Sequence, residues 1–404
     1  MTNDRPQPGY KQTEVGVIPE DWNVKPVGEA FEIRNNLRLP ISKRVRDSMR
    51  GQYPYYGPTN VQDHINEYRV EGQHALIGED GDHFLKWRDI SMTLLIDGKF
   101  NVNNHAHIIK GVDNLTSWFY YFFAHRDLTP HLKRQGAGRY KLNKSTLIDI
   151  PCAIPPLPEQ RSIAKSLSDV DALIAALEKA IAKKRAIKTA TMQQLLTGKT
   201  RLPGFGEGKG YKESAIGVIP EDWQVKRIKD IAPLQRGFDL PTSKLRRGDY
   251  PVAYSNGVMN YHAEFMVQGP GVITGRSGTI GNVHYVSENY WPHNTALWVT
   301  AFIDSYPKYI YYFYKFLKLE RFGTGSGVPT LNRNDVHDSE VAISGLEEQR
   351  AIATVLSDMD TEIAALETRL AKTRSIKQGM MQQLLTGKVR LKIEAGMDAG
   401  REDD

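Results

Sequence analysis

GYKQTEVGVIPEDW runs from Gly9 to Trp22, and GYKESAIGVIPEDW runs from Gly210 to Trp223, 201 residues later. A second pair repeats at a spacing of 189 residues. Leu157–Leu202 contains LPEQR, LSD, IAALE and MQQLLTGK, and Leu346–Leu391 carries LEEQR, LSD, IAALE and MQQLLTGK in the same order. Matches of this length mark a duplicated unit. The ends of the unit are shared while the long middles mostly differ, so two modules keep one frame and vary their content. That is the arrangement expected of two readers with different targets.

The second repeated segment reads as a long helix. Pro158 and Glu159 occupy a helix start and Gly198 and Gly387 lie just past the ends. Ile163, Leu167, Val170, Ile174, Leu177 and Ile181 step by four and three residues, and Ile352, Leu356, Met359, Ile363, Leu366 and Leu370 repeat the pattern. Such a narrow 3.5-residue stripe is a coiled-coil seam, and two seams in one chain can satisfy each other. Ahead of each helix the sequence reads as mixed α and β, with apolar runs such as HALIG and MTLLID between Gly and Asp turns. The aromatic stretches WFYYFFAH at Trp118 and YIYYFYKFL at Tyr309 suit core-facing helices better than base-stacking platforms. The Gly-rich stretch Arg201–Lys209 reads as a linker.

With 404 residues, 40% of them hydrophobic and 25% charged, the chain has the composition of an ordinary globular protein of at least two domains. The single cysteine, Cys152, excludes a disulfide framework and a thiolate metal cage, which makes a reduced, cytoplasmic setting the expectation. The first residues lack a signal-peptide core and no apolar run is long enough for a membrane span. Fifty-three Lys and Arg against 47 Asp and Glu leave a net charge of +6 and a pI near 9.0, a balance that favours a polyanionic partner.

Catalysis has no evident home. Gly198, Lys199 and Thr200 imitate the end of a phosphate-binding loop, but Gln193 stands where its first glycine belongs and the segment ends a helix instead of opening one. His105 and His107 form an HxH pair without a supporting ligand cluster, which fits strand histidines better than a metal site. The chemistry that remains is binding. Lys43, Arg44, Arg46 and Arg50 precede Tyr53, and Lys244, Arg246 and Arg247 precede Tyr250, so both modules place a cationic loop at the same point, suited to phosphates. The turns Gly78–Gly81 (GEDG) and Gly275–Gly278 (GRSG) also correspond. Glu79 and Asp80 suit acceptance from cytosine amino groups, whereas Arg276, with Ser277 beside it, suits guanine. A third pair, GAGRYKLN at Gly136 and GSGVPTLN at Gly325, offers backbone amides to phosphates, with Arg139 and Lys141 adding charge in the first copy alone.

Together, the GxIPEDW openings, YPYYG and GEDG, NNHAH at Asn103, the GxG…LN segments and PLPEQR leading to QQLLTGK resemble the specificity subunit of type I restriction-modification enzymes, over nearly the whole chain. The resemblance implies an α+β architecture. Two globular mixed α/β target recognition domains, residues 1–156 and 210–345, are each followed by a long helix, residues 157–200 and 346–391. The helices pair as an antiparallel coiled coil, with a linker at 201–209 and a tail at 392–404. It also implies a non-catalytic chain that reads a bipartite site in double-stranded DNA. That chain would join two methyltransferase subunits, with or without two restriction/translocase subunits. S-adenosylmethionine, ATP and Mg would then belong to the partners, with no cofactor in this chain. A stand-alone two-module DNA-binding protein or repressor, and an interaction scaffold, are the competing classes. Salt-dependent DNA affinity separates the scaffold from the other two. The second module is twelve residues shorter, and its GLEEQR lacks the proline run.

Overall fold

The computed structural model describes residues 6–135, 139–324 and 330–392. The two seams lie in two uninterrupted helices, Leu157–Leu196 and Leu346–Leu384. The chain divides into two compact units, residues 1–176 with 370–404 and residues 177–369. Each unit is therefore one globular domain plus one half of each long helix.

In the first unit, the strands Val61–Ile65, Arg50–Tyr56, Lys99–Val102 and Val70–Glu71 form one four-stranded sheet, in that order. Glu32–Ile33, Ala106–Lys110, His74–Gly78 and Thr93–Ile96 form a second. The helix Thr116–Ala124 packs on the second sheet and buries Trp118, Phe119 and Phe123 completely. The strand Asn23–Pro26 pairs antiparallel with Pro151–Ile154, bringing the domain's entry and exit side by side. The second unit repeats this plan. Leu234–Arg236, Ala296–Val299, Gly271–Gly275 and Val283–Val286 make its four-stranded sheet, and Gly257–His262, Tyr250–Tyr254 and Trp291–Pro292 a three-stranded one. Its aromatic helix, Pro307–Leu317, buries Tyr309, Tyr312 and Tyr314.

The length difference has a location. Gly275 follows Gly78 by 197 residues but Thr295 follows His105 by 190, so seven of the twelve missing residues lie just after the GEDG turn. There the first domain inserts a 3-10 helix, Asp82–Lys86, anchored by the fully buried Phe84.

Within each unit the helix halves run antiparallel. In the first, Ile163 and Leu167 share a core with Met381 and Leu384, and Lys377 pairs with Asp171 at 2.6 Å. In the second, Leu195 and Leu196 share a core with Ile352 and Leu356. There Lys184 meets Glu362 at 2.6 Å and Arg185 meets Glu367 at 2.5 Å. Leu177, Ile181 and Ile363 are buried, while Val170, Ile174, Met359, Leu366 and Leu370 are half-buried. The helix ends at the beginning of the seam thus do double duty, because Ile163, Leu167, Ile352 and Leu356 also face the cores of the globular domains.

The repeated motifs are the joints of this frame. Trp22 is fully buried and its indole N–H donates to Glu159 at 2.9 Å; Trp223 does the same to Glu348 at 3.0 Å. Arg390 then donates to Glu159 and Asp21, and Arg201 to Glu348 and Asp222. Tyr10 and Tyr211 donate from their hydroxyls to the carbonyls of Gly387 and Gly198. Those two glycines, at φ of +67° and +68°, end the helices in the left-handed conformation. A Cβ on Gly387 would come within 2.4 Å of Pro19, and one on Gly198 within 2.4 Å of Pro220. Gln160 and Gln349 are buried at the helix starts. The amide of each takes an N–H from Leu115 or Tyr306 and donates to the carbonyl of Pro155 or Ser344. The Tyr, Asp and Trp of the GYK and IPEDW motifs, the Glu of EQR and the Arg that follows each TGK therefore meet in one polar joint, made once in each unit. Arg201, read from sequence as the start of a free linker, is part of that joint. The tail expected from Lys392 lies, apart from that residue, outside the described residues.

Candidate nucleic-acid interface

The two recognition turns sit in one backbone frame. In the first domain the N–H of Glu79 donates to the carbonyl of His105 at 2.8 Å, and the N–H of Leu142 donates to the carbonyl of Glu79 at 2.7 Å. In the second, the N–H of Arg276 donates to the carbonyl of Thr295 at 2.9 Å, and that of Leu331 to the carbonyl of Arg276 at 2.8 Å. Asp80 bridges to Lys141 and Ser277 bridges to Thr330, again at matching positions. The GEDG and GRSG turns are thus superimposable in their hydrogen bonding, and the GxG…LN segments flank them. The same bonds align NNHAH with His293–Leu297, a match too diverged to see in the sequence.

What the frames hold differs. Glu79 faces inward: Arg38 meets it at 2.8 Å and Lys141 at 3.6 Å, and its side chain is 17% exposed. Read from sequence as a partner for cytosine, it is instead committed within the domain, since an ionised carboxylate this enclosed must be paired. Lys141 is held by the same pair. His107 lies fully buried beside them. Its Nε2 is 2.7 Å from the carbonyl of Leu142, which can only accept, so the proton sits on Nε2. Nδ1 then accepts from Asn35 and Arg38, both at 2.9 Å. Burial pushes its pKa down to about 4, so this histidine is neutral in the fold. Asp80 is the outward carboxylate of the turn, paired with the half-exposed His105 at 2.8 Å.

Arg276 has no carboxylate partner among the described residues and is half-buried at the turn, its fork uncommitted. Ser277 is half-buried beside it.

The basic loops separate into free and committed cations. Lys43 and Arg44, on the helix Lys43–Ser48, are exposed and unpaired among the described residues, as are Lys244 and Arg247. Arg46 is not free. Its guanidinium donates to Asp63 at 3.2 Å and to the carbonyl of Ile41 at 2.8 Å, and lies 4.9 Å over the ring of Tyr55. In this geometry it holds the short helix onto the sheet. Arg50 pairs with Asp47 while remaining 78% exposed, and Arg246 pairs with Glu264 at 2.5 Å. The glycine loops at 136–138 and 325–329, and the side chain of Arg139 in the strand Arg139–Lys141, lie outside the described residues.

Sequence reasoning missed the joint residues Trp22, Trp223, Glu159, Glu348, Asp21, Asp222 and Arg390. All stand inside the repeats, and their coincidence there was the available signal. It also missed a pair of matched aromatic contacts beside the basic loops, Tyr53 with Tyr68 at 5.0 Å and Tyr250 with Phe265 at 4.8 Å. Among the described residues no group of His, Cys, Asp and Glu could hold a metal ion, and no helix is long and apolar enough to cross a membrane.

Two copies of one fold, each presenting a turn of different side chains and carrying exposed cations, define a protein that reads two targets from one frame. A family model for the type I restriction modification DNA specificity domain matches residues 19–187 and again 220–374. A putative type I restriction enzyme specificity subunit of Haemophilus influenzae is 30% identical, over 84% of this chain and 88% of its own length. The putative MjaX specificity subunit of Methanocaldococcus jannaschii is 25% identical, over 95% of this chain and 97% of its own. A solved type I restriction-modification S subunit from M. genitalium has the same fold, with a TM-score of 0.65 at 14% identity, covering 90% of this chain and 96% of that one. The chain belongs to the type I restriction-modification DNA specificity family. Both matched stretches open at the IPEDW motif and run into a long helix, so it carries two specificity domains.

Proposed function

We propose that this chain reads a bipartite site in double-stranded DNA, each half assigned to one domain, and performs no chemistry itself. The observation that carries this reading is the pair of turns. Asp80 and Arg276–Ser277 are held by the same backbone bonds yet differ in charge, and opposite donor and acceptor patterns select different base pairs in the major groove. The free cations Lys43, Arg44, Lys244 and Arg247 supply the phosphate contacts that position each domain without reading sequence.

In this reading the chain is the non-catalytic, cytoplasmic component of an enzyme whose methyl transfer belongs to two methyltransferase subunits, with two restriction/translocase subunits in a restricting form. S-adenosylmethionine, ATP and Mg bind those partners. Support comes from the duplication of the whole unit, since two copies of one fold suit two copies of one partner. Exchange of residues 30–150 for the same span of a relative tests the assignment. Methylome mapping should find one half of the site changed and the other intact. A simultaneous change in both halves would refute independent reading.

A further inference from the structure

The second domain holds a cationic hollow whose lysines have no counterpart at the equivalent positions of the first. About 600 Å³ in volume, it lies between the hairpin of Gly271–Gly275 with Val283–Val286 and the helix Pro307–Leu317. Lys308 sits 4.0 Å from the ring of Tyr285 and 5.2 Å from that of Tyr311, and Lys315 donates to the Tyr311 hydroxyl at 2.9 Å. Neither lysine has a carboxylate within ion-pair distance among the described residues, although Glu320 also lines the hollow. The nearest helix carboxylate, Asp360, is already taken by Lys188 and by the Tyr312 hydroxyl.

Two ammonium groups packed on aromatic faces, with one shared carboxylate nearby, leave donors and positive charge unspent. Burial pushes the pKa of Lys308 down, Asp360 opposes that shift, and the neighbouring Lys315 and Lys188 charges add to it. In the first domain the equivalent positions hold Leu95, Ser117 and Ala124, with Tyr120 alone retained. Folding therefore does not demand the cluster.

The rim of the hollow is part of the recognition hairpin, because the N–H of Gly275 donates to the carbonyl of Asn282 at 3.3 Å. Arg276 directly follows Gly275, so the rim lies one residue along the chain from the side chain proposed to read a base. We infer that Lys308 and Lys315, with the Tyr285 and Tyr311 rings as walls, form a phosphate-binding hollow that grips the DNA backbone beside the base pair read by Arg276. In the first domain the two lysine positions hold Ser117 and Ala124. This inference rests on the reading of the second domain as a DNA reader.

The test uses the chain copurified with its methyltransferase partner, and duplex DNA with and without the methylated site, titrated from 50 to 200 mM salt. Lys308→Gln with Lys315→Gln should lower the slope of log affinity against log salt by about two, so that the affinity lost over this range shrinks roughly tenfold. Both duplexes should be affected alike, with the methylated sequence and the copurifying partner unchanged. Lys315→Gln alone, at an exposed position, should lower the slope by about one and decides the matter if the double variant does not fold. An unchanged slope in the folded variant overturns the hollow while leaving the specificity reading standing. Loss of the methyltransferase with an unchanged slope also overturns it, and makes the hollow a protein-docking site. A wild-type complex without salt-dependent affinity overturns the hollow and the specificity reading together.

Discussion

At its recognition turn the first domain closes its charges on one another, whereas at the matching turn of the second the arginine stays uncommitted. Around the first turn, Arg38, Glu79, Lys141 and the buried neutral His107 form an enclosed polar cluster, leaving Asp80 and His105 toward solvent. Around the second, Leu297 stands where His107 does and Arg276 where Glu79 does, and no comparable cluster forms among the described residues. One backbone frame can therefore host either a self-satisfied polar core or an uncommitted arginine. The frame survives because its bonds run between main-chain atoms and through the repeated joint, neither of which depends on the variable side chains. This separation of support from content is what lets the middles diverge.

The largest expected effect concerns what the two halves share. Glu348→Ala removes the partner of Arg201 and of the Trp223 indole at a site where the carboxylate is 4% exposed. Loss of one member of a buried pair costs about 3–5 kcal/mol. Glu159→Ala should cost a similar amount, its side chain being 1% exposed. Calorimetric melting of the two variants checks this, and a harmless Glu159→Ala would break the equivalence of the two joints.

Next comes a pH effect confined to the first domain. His107 titrates near 4 in the fold against its ordinary 6.5, so between these values the unfolded chain binds the proton and the folded one does not. Stability from this group is fully present above pH 6.5 and falls as pH drops toward 4, by on the order of 2–3 kcal/mol. His107→Leu, which copies the second domain, should abolish that slope even though it lowers stability at neutral pH. Urea unfolding at pH 7 and pH 4.5 measures both quantities. An identical pH slope in the variant would show that His107 is not the titrating group.

Arg276→Ala should relax selection at one base pair by roughly 1–3 kcal/mol without altering the melting temperature. Glu79→Gln should do the reverse, lowering stability while keeping the methylated sequence. Methylome sequencing alongside thermal melts reads both, and altered specificity in Glu79→Gln would return that residue to the base-reading set.

The smallest effect separates the basic side chains. Lys43→Ala with Arg44→Ala should reduce the salt slope of DNA binding by about one to two. Arg46→Ala should leave that slope unchanged and loosen the helix Lys43–Ser48, detectable as faster amide exchange there.

The duplication, the helix seams and the pairing of GEDG with GRSG were all legible from the sequence, because each is written as periodicity or as local identity. Which charges are free was not. Glu79 and Arg46 look like their exposed neighbours along the chain. Their partners, Arg38 and Lys141 for one and Asp63 for the other, lie 17 to 62 residues away and are brought near only by sheet pairing. The same reason hid the joint. Arg390 reaches Glu159 across 231 residues and Asp21 across 369, separations at which no local pattern reports contact. The sequence by itself determined that there are two alike modules on two helices. Which side chains each module consumes in holding itself together, and which it leaves exposed and unpaired, emerged only in three dimensions, because burial and ion pairing are properties of neighbours in space.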